Sequence, residues 1–192
     1  KDSFSSKFKT VFRSSPSIVT LAYSVLSSGI QLFGNELENP IDNTIADFTP
    51  EEEKKFSAPK YLLVESEENV VEKAFAEADR YVNEMGCKKS EVLIVGVSSY
   101  YSQQLEDYAK RLNKPAVIIK RRGDTEVFKD AGDSQRYVIG DIDYIGGLEF
   151  LYVILVGIDA NTVPPSNTSN YTEGSFMYIK YSWYNRLYVA LT

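Results

Sequence analysis

The residues whose types and spacing could do chemistry begin with Gly146-Gly147-Leu148-Glu149, a glycine pair and a carboxylate set between two apolar runs. Paired glycines free the backbone for a tight turn and let a ligand approach it closely. Glu149 follows just ahead of the second run, at a loop edge where α/β proteins usually place binding groups. A second candidate is Lys120-Arg121-Arg122, the one dense basic cluster. It reads either as a contact for nucleic-acid phosphates or as a solvated strand end, and both readings stay open. A third is the step from an apolar run into Ser98-Ser99, where a helix N-terminus could hold a phosphate. It lacks the glycines of a phosphate loop, so helix capping is the expected job.

What is missing narrows the chemistry further. The chain has no histidine and one cysteine, Cys87. That removes Ser-His-Asp and Cys-His catalysis, imidazole general bases, His-based metal sites, thiolate zinc and any internal disulfide. A lone thiol fits a reducing compartment. Any reaction must rest on carboxylates, Arg, Lys, Tyr, hydroxyls and backbone groups. The net charge of -6 argues against broad, non-specific nucleic-acid binding, although a local phosphate-tracking strip is compatible with it.

The elements that must position these groups follow from apolar periodicity. With 192 residues, 43% hydrophobic and 25% charged, the chain can bury one substantial core or two small ones. No apolar run is long enough to span a bilayer, so no membrane contact and a cytoplasmic location are expected. Residues 9–12 read as a short strand, and Ser15-Pro16 starts a helix that Gly29 should end. Residues 30–60 read as an irregular surface connection. A strand at residues 61–64 leads, through a Ser66 cap, to an amphipathic helix with a stripe from Val70 to Met85, closed by Gly86. Residues 91–97 form the cleanest buried strand, followed by a helix carrying Tyr101, Leu105, Tyr108, Ala109 and Leu112 and a strand at residues 115–119. Tyr137-Val-Ile139 and Leu151-Tyr-Val-Ile-Leu-Val156 are Val, Ile and Tyr-rich runs expected in a parallel sheet. A Pro-rich loop and a closing helix built on Phe176, Ile179, Trp183 and Leu187 complete the chain. Alternating strands and helices imply a parallel sheet covered on both faces.

Three short motifs carry a family resemblance. Phe12-Arg13-Ser14 stands near the start ahead of an Ile-containing helix, Gly147-Leu-Glu-Phe150 precedes an apolar strand followed by Gly157-Ile-Asp159, and Arg186-Leu-Tyr-Val-Ala-Leu-Thr192 closes the chain. In that order they resemble the second RecA-like motor domain of superfamily 1 helicases of the UvrD/Rep type. The likeness spans nearly the whole chain apart from residues 30–60 and 121–136. It implies a three-layer α/β domain of the P-loop NTPase type over residues 1–192, and a piece of a longer protein. The start at Lys1 rather than Met agrees with a fragment.

The resemblance also implies roles. Arg13, which alone reads as a surface arginine, would touch the terminal phosphate of ATP, with Phe12 near the base. Glu149 would bond the ribose, with Gly147 beside it. Magnesium would be held by a first RecA-like domain elsewhere in the same chain, because no phosphate loop occurs here. Single-stranded DNA would be the other partner, with Lys120, Arg121 and Arg122 as candidate contacts. Three positions depart from the pattern: Asp141, Asp143 and Gly146 stand where the family has Thr, His and Lys. Two carboxylates there would repel phosphate. A non-catalytic, helicase-like interaction module is the runner-up, and a flavodoxin-like enzyme acting through carboxylates comes third.

Overall fold

The computed structural model describes residues 10–11, 14–33, 45–46, 57–159, 162–163 and 172–192. Phe12 and Arg13 lie outside them. In chain order the elements are β1 (Thr10–Val11), α1 (Pro16–Phe33), β2 (Ile45–Ala46), α2 (Glu67–Met85), β3 (Val92–Gly96), α3 (Ser99–Arg111), β4 (Ala116–Ile118), α4 (Thr125–Ser134), β5 (Tyr137–Asp141), β6 (Tyr152–Val156) and α5 (Glu173–Leu191). They form two compact units, Lys1–Tyr61 with Tyr171–Thr192, and Leu62–Asn170.

In the first unit, β1 and β2 pair in parallel, with Thr10 opposite Ile45. Helix α1 starts at Pro16, whose fixed φ suits a first helical residue. It runs through Gly29 instead of ending there. The reason is packing against α5. A Cβ on Gly29 would lie 2.6 Å from Tyr184 Cβ, so the glycine is a close-approach point between helices and not a cap. Val19, Ala22 and Leu26 of α1 are buried, as are Leu187 and Ala190 of α5. The Tyr23 and Tyr188 rings stack at 5.8 Å, and Ser14 Oγ donates to the Thr192 carbonyl at 3.2 Å.

The second unit is an α/β fold with a four-stranded, all-parallel sheet ordered β4-β5-β3-β6. From β3 the chain crosses β5 to reach β4, steps back to β5, then passes β3 to reach β6. Right-handed connections that run in opposite directions place their intervening segments on opposite faces. Helix α3 therefore shares one face with α2, while α4 and the helix-free 142–151 connection lie on the other. The α2/α3 face buries Val71, Phe75, Leu105, Ile94, Tyr137 and Ile139 in one cluster. Phe75, 1% exposed, sits 5.2 Å from the Tyr108 ring and edge-on to Tyr137, a burial worth about 1.5–3 kcal/mol. Helix α2 is pinned by Asp79, which accepts from the Tyr137 hydroxyl at 2.6 Å and from Lys114 Nζ at 2.8 Å.

Several expectations need correction. Residues 61–64 form no strand: Tyr61, Leu62 and Leu63 are exposed, and the segment belongs to neither sheet. Ser66 stands at the N-cap of α2 without a side-chain capping bond. The first-turn acids Glu67 and Glu68 instead complement the helix dipole. Met85 leaves the apolar stripe and is 53% exposed. Residues 121–136, unassigned from sequence, hold α4, anchored by buried Ala131. Gly86 does close α2, with φ +70°.

Candidate functional site

In open parallel sheets, ligand groups collect at the carboxyl ends of the strands. Here β4 delivers Lys120, Arg121 and Arg122, β5 delivers Asp141, β3 leads into Ser98, and β6 leads into Gly157 and Asp159. Ser98 caps α3, its hydroxyl accepting from Tyr101 N at 3.5 Å, as the missing glycines implied. A Cβ on Gly96 would fall 2.3 Å from Ser102 N, so α3 begins directly against the end of β3.

Asp141 is a fold residue. Its Oδ2 accepts from Ser102 Oγ at 2.8 Å and its Oδ1 from the Asp143 amide at 2.9 Å, an Asx turn that starts the connection to β6. Asp141 and Gly140 are neighbours on one strand and so face opposite sides of the sheet. The Asp141 carboxylate turns toward α3. Above Gly140 lies Ile145, whose Cγ2 would be 2.8 Å from an added Cβ.

Ile145 opens the turn singled out from sequence. Its carbonyl accepts from Leu148 N at 3.1 Å, with Gly146 and Gly147 central. Gly147 has φ +86° while Gly146 stays outside the left-handed region, the combination a type II turn demands. The two glycines differ in surroundings. A Cβ on Gly147 would meet nothing within 4 Å, whereas one on Gly146 would lie 2.6 Å from Arg122 Nη2. The basic cluster and the glycine turn, read separately from sequence, therefore meet. Arg121 leans instead toward Asp124, at 3.8 Å, and Lys120 is exposed.

Glu149 is exposed at the exit of the turn. Phe150 packs against Phe128 of α4, ring centroids 5.8 Å apart. Leu151 N donates to the Glu91 carbonyl at 3.1 Å, so Glu149 stands within two residues of the sheet's amino edge. The connection thus carries Asp141 at one edge of the sheet and Glu149 close to the other. Glu149 is thus at a loop edge just ahead of β6, and that edge is the amino one because β6 is parallel to β5 and the chain must return before β6 can begin.

A group that sequence reasoning left unassigned closes the β6 end. Asp159 accepts from the Tyr101 hydroxyl at 3.2 Å and from Thr162 N at 3.0 Å. Burial, then the Asp159 charge, pushes the Tyr101 hydroxyl up to about 12. Gly157, at φ +93°, admits the Tyr101 ring where a Cβ would be only 2.1 Å away. The Gly157-Ile-Asp159 spacing was the available signal for this latch.

A cleft of about 300 Å³ opens between α2 and α3, lined by Glu67, Glu68, Asp107, Tyr100, Tyr108 and Arg111 among others. The Glu67 charge, then burial, raises the Tyr100 hydroxyl. With three carboxylates to one guanidinium, the cleft disfavours phosphate, and none of the sequence-derived site residues lines it. Among the described residues no group of side chains is placed to hold a metal ion, and no helix is long and apolar enough to cross a membrane. Comparison with known protein families, characterised proteins and solved structures yields no match.

Proposed function

We propose that the chain is the C-terminal motor domain of an ATP-dependent superfamily 1 DNA helicase. It would contribute one wall of an ATP site completed by a first motor domain, and part of a single-strand track. The observation that carries this reading is the Gly146-Gly147 turn, open at Gly147, overlaid by a cation at Gly146 and leading straight to an exposed carboxylate. An exposed Glu149 suits a sugar hydroxyl, which donates to carboxylate oxygens. Nothing in the sequence cradles a triphosphate, so phosphates and magnesium fall to the partner domain, with Arg13 reaching the terminal phosphate as charge builds on it. The strand order supports the reading over a flavodoxin-like enzyme. In that fold the sheet's first two strands are neighbours, whereas in the four-stranded sheet here β5 separates the first two, β3 and β4. A cytoplasmic location goes with this reading.

One observation favours the non-catalytic module as a second reading: Asp141 serves the fold through Ser102 and the Asp143 amide. The two are separated in the complete protein by Glu149→Ala. Loss of a charged hydrogen bond to bound nucleotide should raise KM for ATP by about tenfold to a hundredfold, with kcat little changed. An unchanged KM would remove Glu149 from the site and favour the non-catalytic module.

A further inference from the structure

Helix α4 and the 142–151 connection share one face of the sheet, and an aromatic pair joins them. Phe128 stands three residues before Ala131, so the two lie on the same side of α4, and Ala131 is completely buried. Phe128 is half-buried, and its ring meets the half-buried ring of Phe150 at 5.8 Å between centroids and 56° between planes. Phe150 directly follows Glu149. Backbone bonds hold the stretch on either side, Leu148 N donating to the Ile145 carbonyl and Leu151 N to the Glu91 carbonyl, each at 3.1 Å. Between those anchors Phe150 turns in toward α4 while Glu149 stays exposed.

We propose that Phe128 is a positioning residue for Glu149: its ring seats Phe150, and through it the backbone that aims the carboxylate at a nucleotide sugar. This role stands on the sugar contact proposed for Glu149 and extends it to a helix outside the three motifs. The physical reason is preorganisation. A carboxylate on a loose backbone must be ordered when the sugar arrives, which weakens binding, whereas one on a seated backbone is ordered on folding. A sugar hydroxyl far from the reacting phosphates is held alike in the ground and transition states, so the effect falls on KM and not on kcat. Packing without a positioning role would make the ring matter for stability alone.

The test is a double-mutant cycle in the complete protein, with KM for ATP and kcat taken from strand-stimulated hydrolysis and stability from urea unfolding. Phe128→Ala should raise KM severalfold, less than Glu149→Ala does, with kcat little changed. In the Glu149→Ala background the same substitution should leave KM unmoved, because no carboxylate remains to be aimed, while its cost in stability persists. Phe128→Tyr keeps the ring and should keep the original KM. Should Phe128→Ala fail to fold, Phe128→Leu takes its place in the cycle, with a smaller rise in KM that again vanishes beside Glu149→Ala. An unchanged KM in the Phe128 variant, a full further rise in the double variant, or a matching loss in kcat would overturn the proposal. Where Glu149→Ala itself raises KM, those results refute the positioning role alone. An unchanged KM in Glu149→Ala refutes the sugar contact, and the positioning role falls with it.

Discussion

Gly157 and Gly86 both hold left-handed backbone, at φ +93° and +70°, yet alanine should cost very different amounts at the two. At Gly86 a Cβ would meet nothing within 4 Å, leaving only the conformational penalty of about 1 kcal/mol. At Gly157 a Cβ would sit 2.1 Å from the Tyr101 ring, against an ordinary carbon contact of roughly 3.5–4.0 Å. The ring must retreat by about 1.5 Å to restore that contact. It has little room, being 6% exposed with its hydroxyl held by Asp159. Overpacking of this kind costs about 1–3 kcal/mol, and losing a hydrogen bond to a carboxylate about 1.5 kcal/mol. Gly157→Ala should therefore be ~2.5–4.5 kcal/mol worse than Gly86→Ala, and their melting temperatures should differ by roughly 5–18 °C. Urea and thermal unfolding followed by far-UV circular dichroism compare them directly. Coincident midpoints would mean that the Tyr101 ring is not seated on Gly157, and the latch at the end of β6 would be refuted.

Gly29→Ala should destabilise the first unit by ~1–3 kcal/mol in urea unfolding, because the new Cβ would fall 2.6 Å from Tyr184 Cβ. Helix propensity alone forecasts about 1 kcal/mol in the opposite direction, so a stabilised variant would contradict the α1–α5 packing. Burial raises the Asp79 carboxyl, but hydrogen bonds from Lys114 and Tyr137 outweigh it and hold the group below its ordinary range. A depressed folded value gives stability that is complete above the unfolded value of about 3.9 and lost as pH falls through the folded one. Asp79→Asn should thus flatten the acid limb of stability against pH, and an unchanged limb would count against the pin.

The elements legible in the sequence were those whose pattern is local. Val92 to Val95 is a bare run of apolar residues with every position buried, and a left-handed Gly86 ends α2 wherever that helix packs. Gly29 misled for the same reason: its local signal is that of a cap, and only Tyr184, far along the chain, makes it an interior position. Residues 61–64 have strand-forming side chains but belong to neither sheet. Helix α4 escaped notice because Val127, Phe128 and Ala131 give this short helix, Thr125–Ser134, too little periodicity to register. At the site, the Gly146-Gly147 turn was legible and the edge on which Glu149 lies was not. That edge depends on β6 being parallel to β3, with Tyr152 opposite Val92. The Arg122–Gly146 seat needs the β4 and β5 ends side by side, which the register of Ile118 with Ile139 provides and no spacing along the chain reveals.

The central claim, one half of an ATP-driven motor, is tested most directly by Arg13→Ala in the complete protein, with strand-stimulated ATP hydrolysis and ATP binding measured side by side. An arginine that meets charge developing on the transferred phosphoryl group contributes to the barrier far more than to the bound ground state. The account predicts a fall in kcat of about a thousandfold or more, with the Kd for ATP changed far less. Equal losses in both would place Arg13 in ground-state binding, and no loss in either would contradict the motor reading.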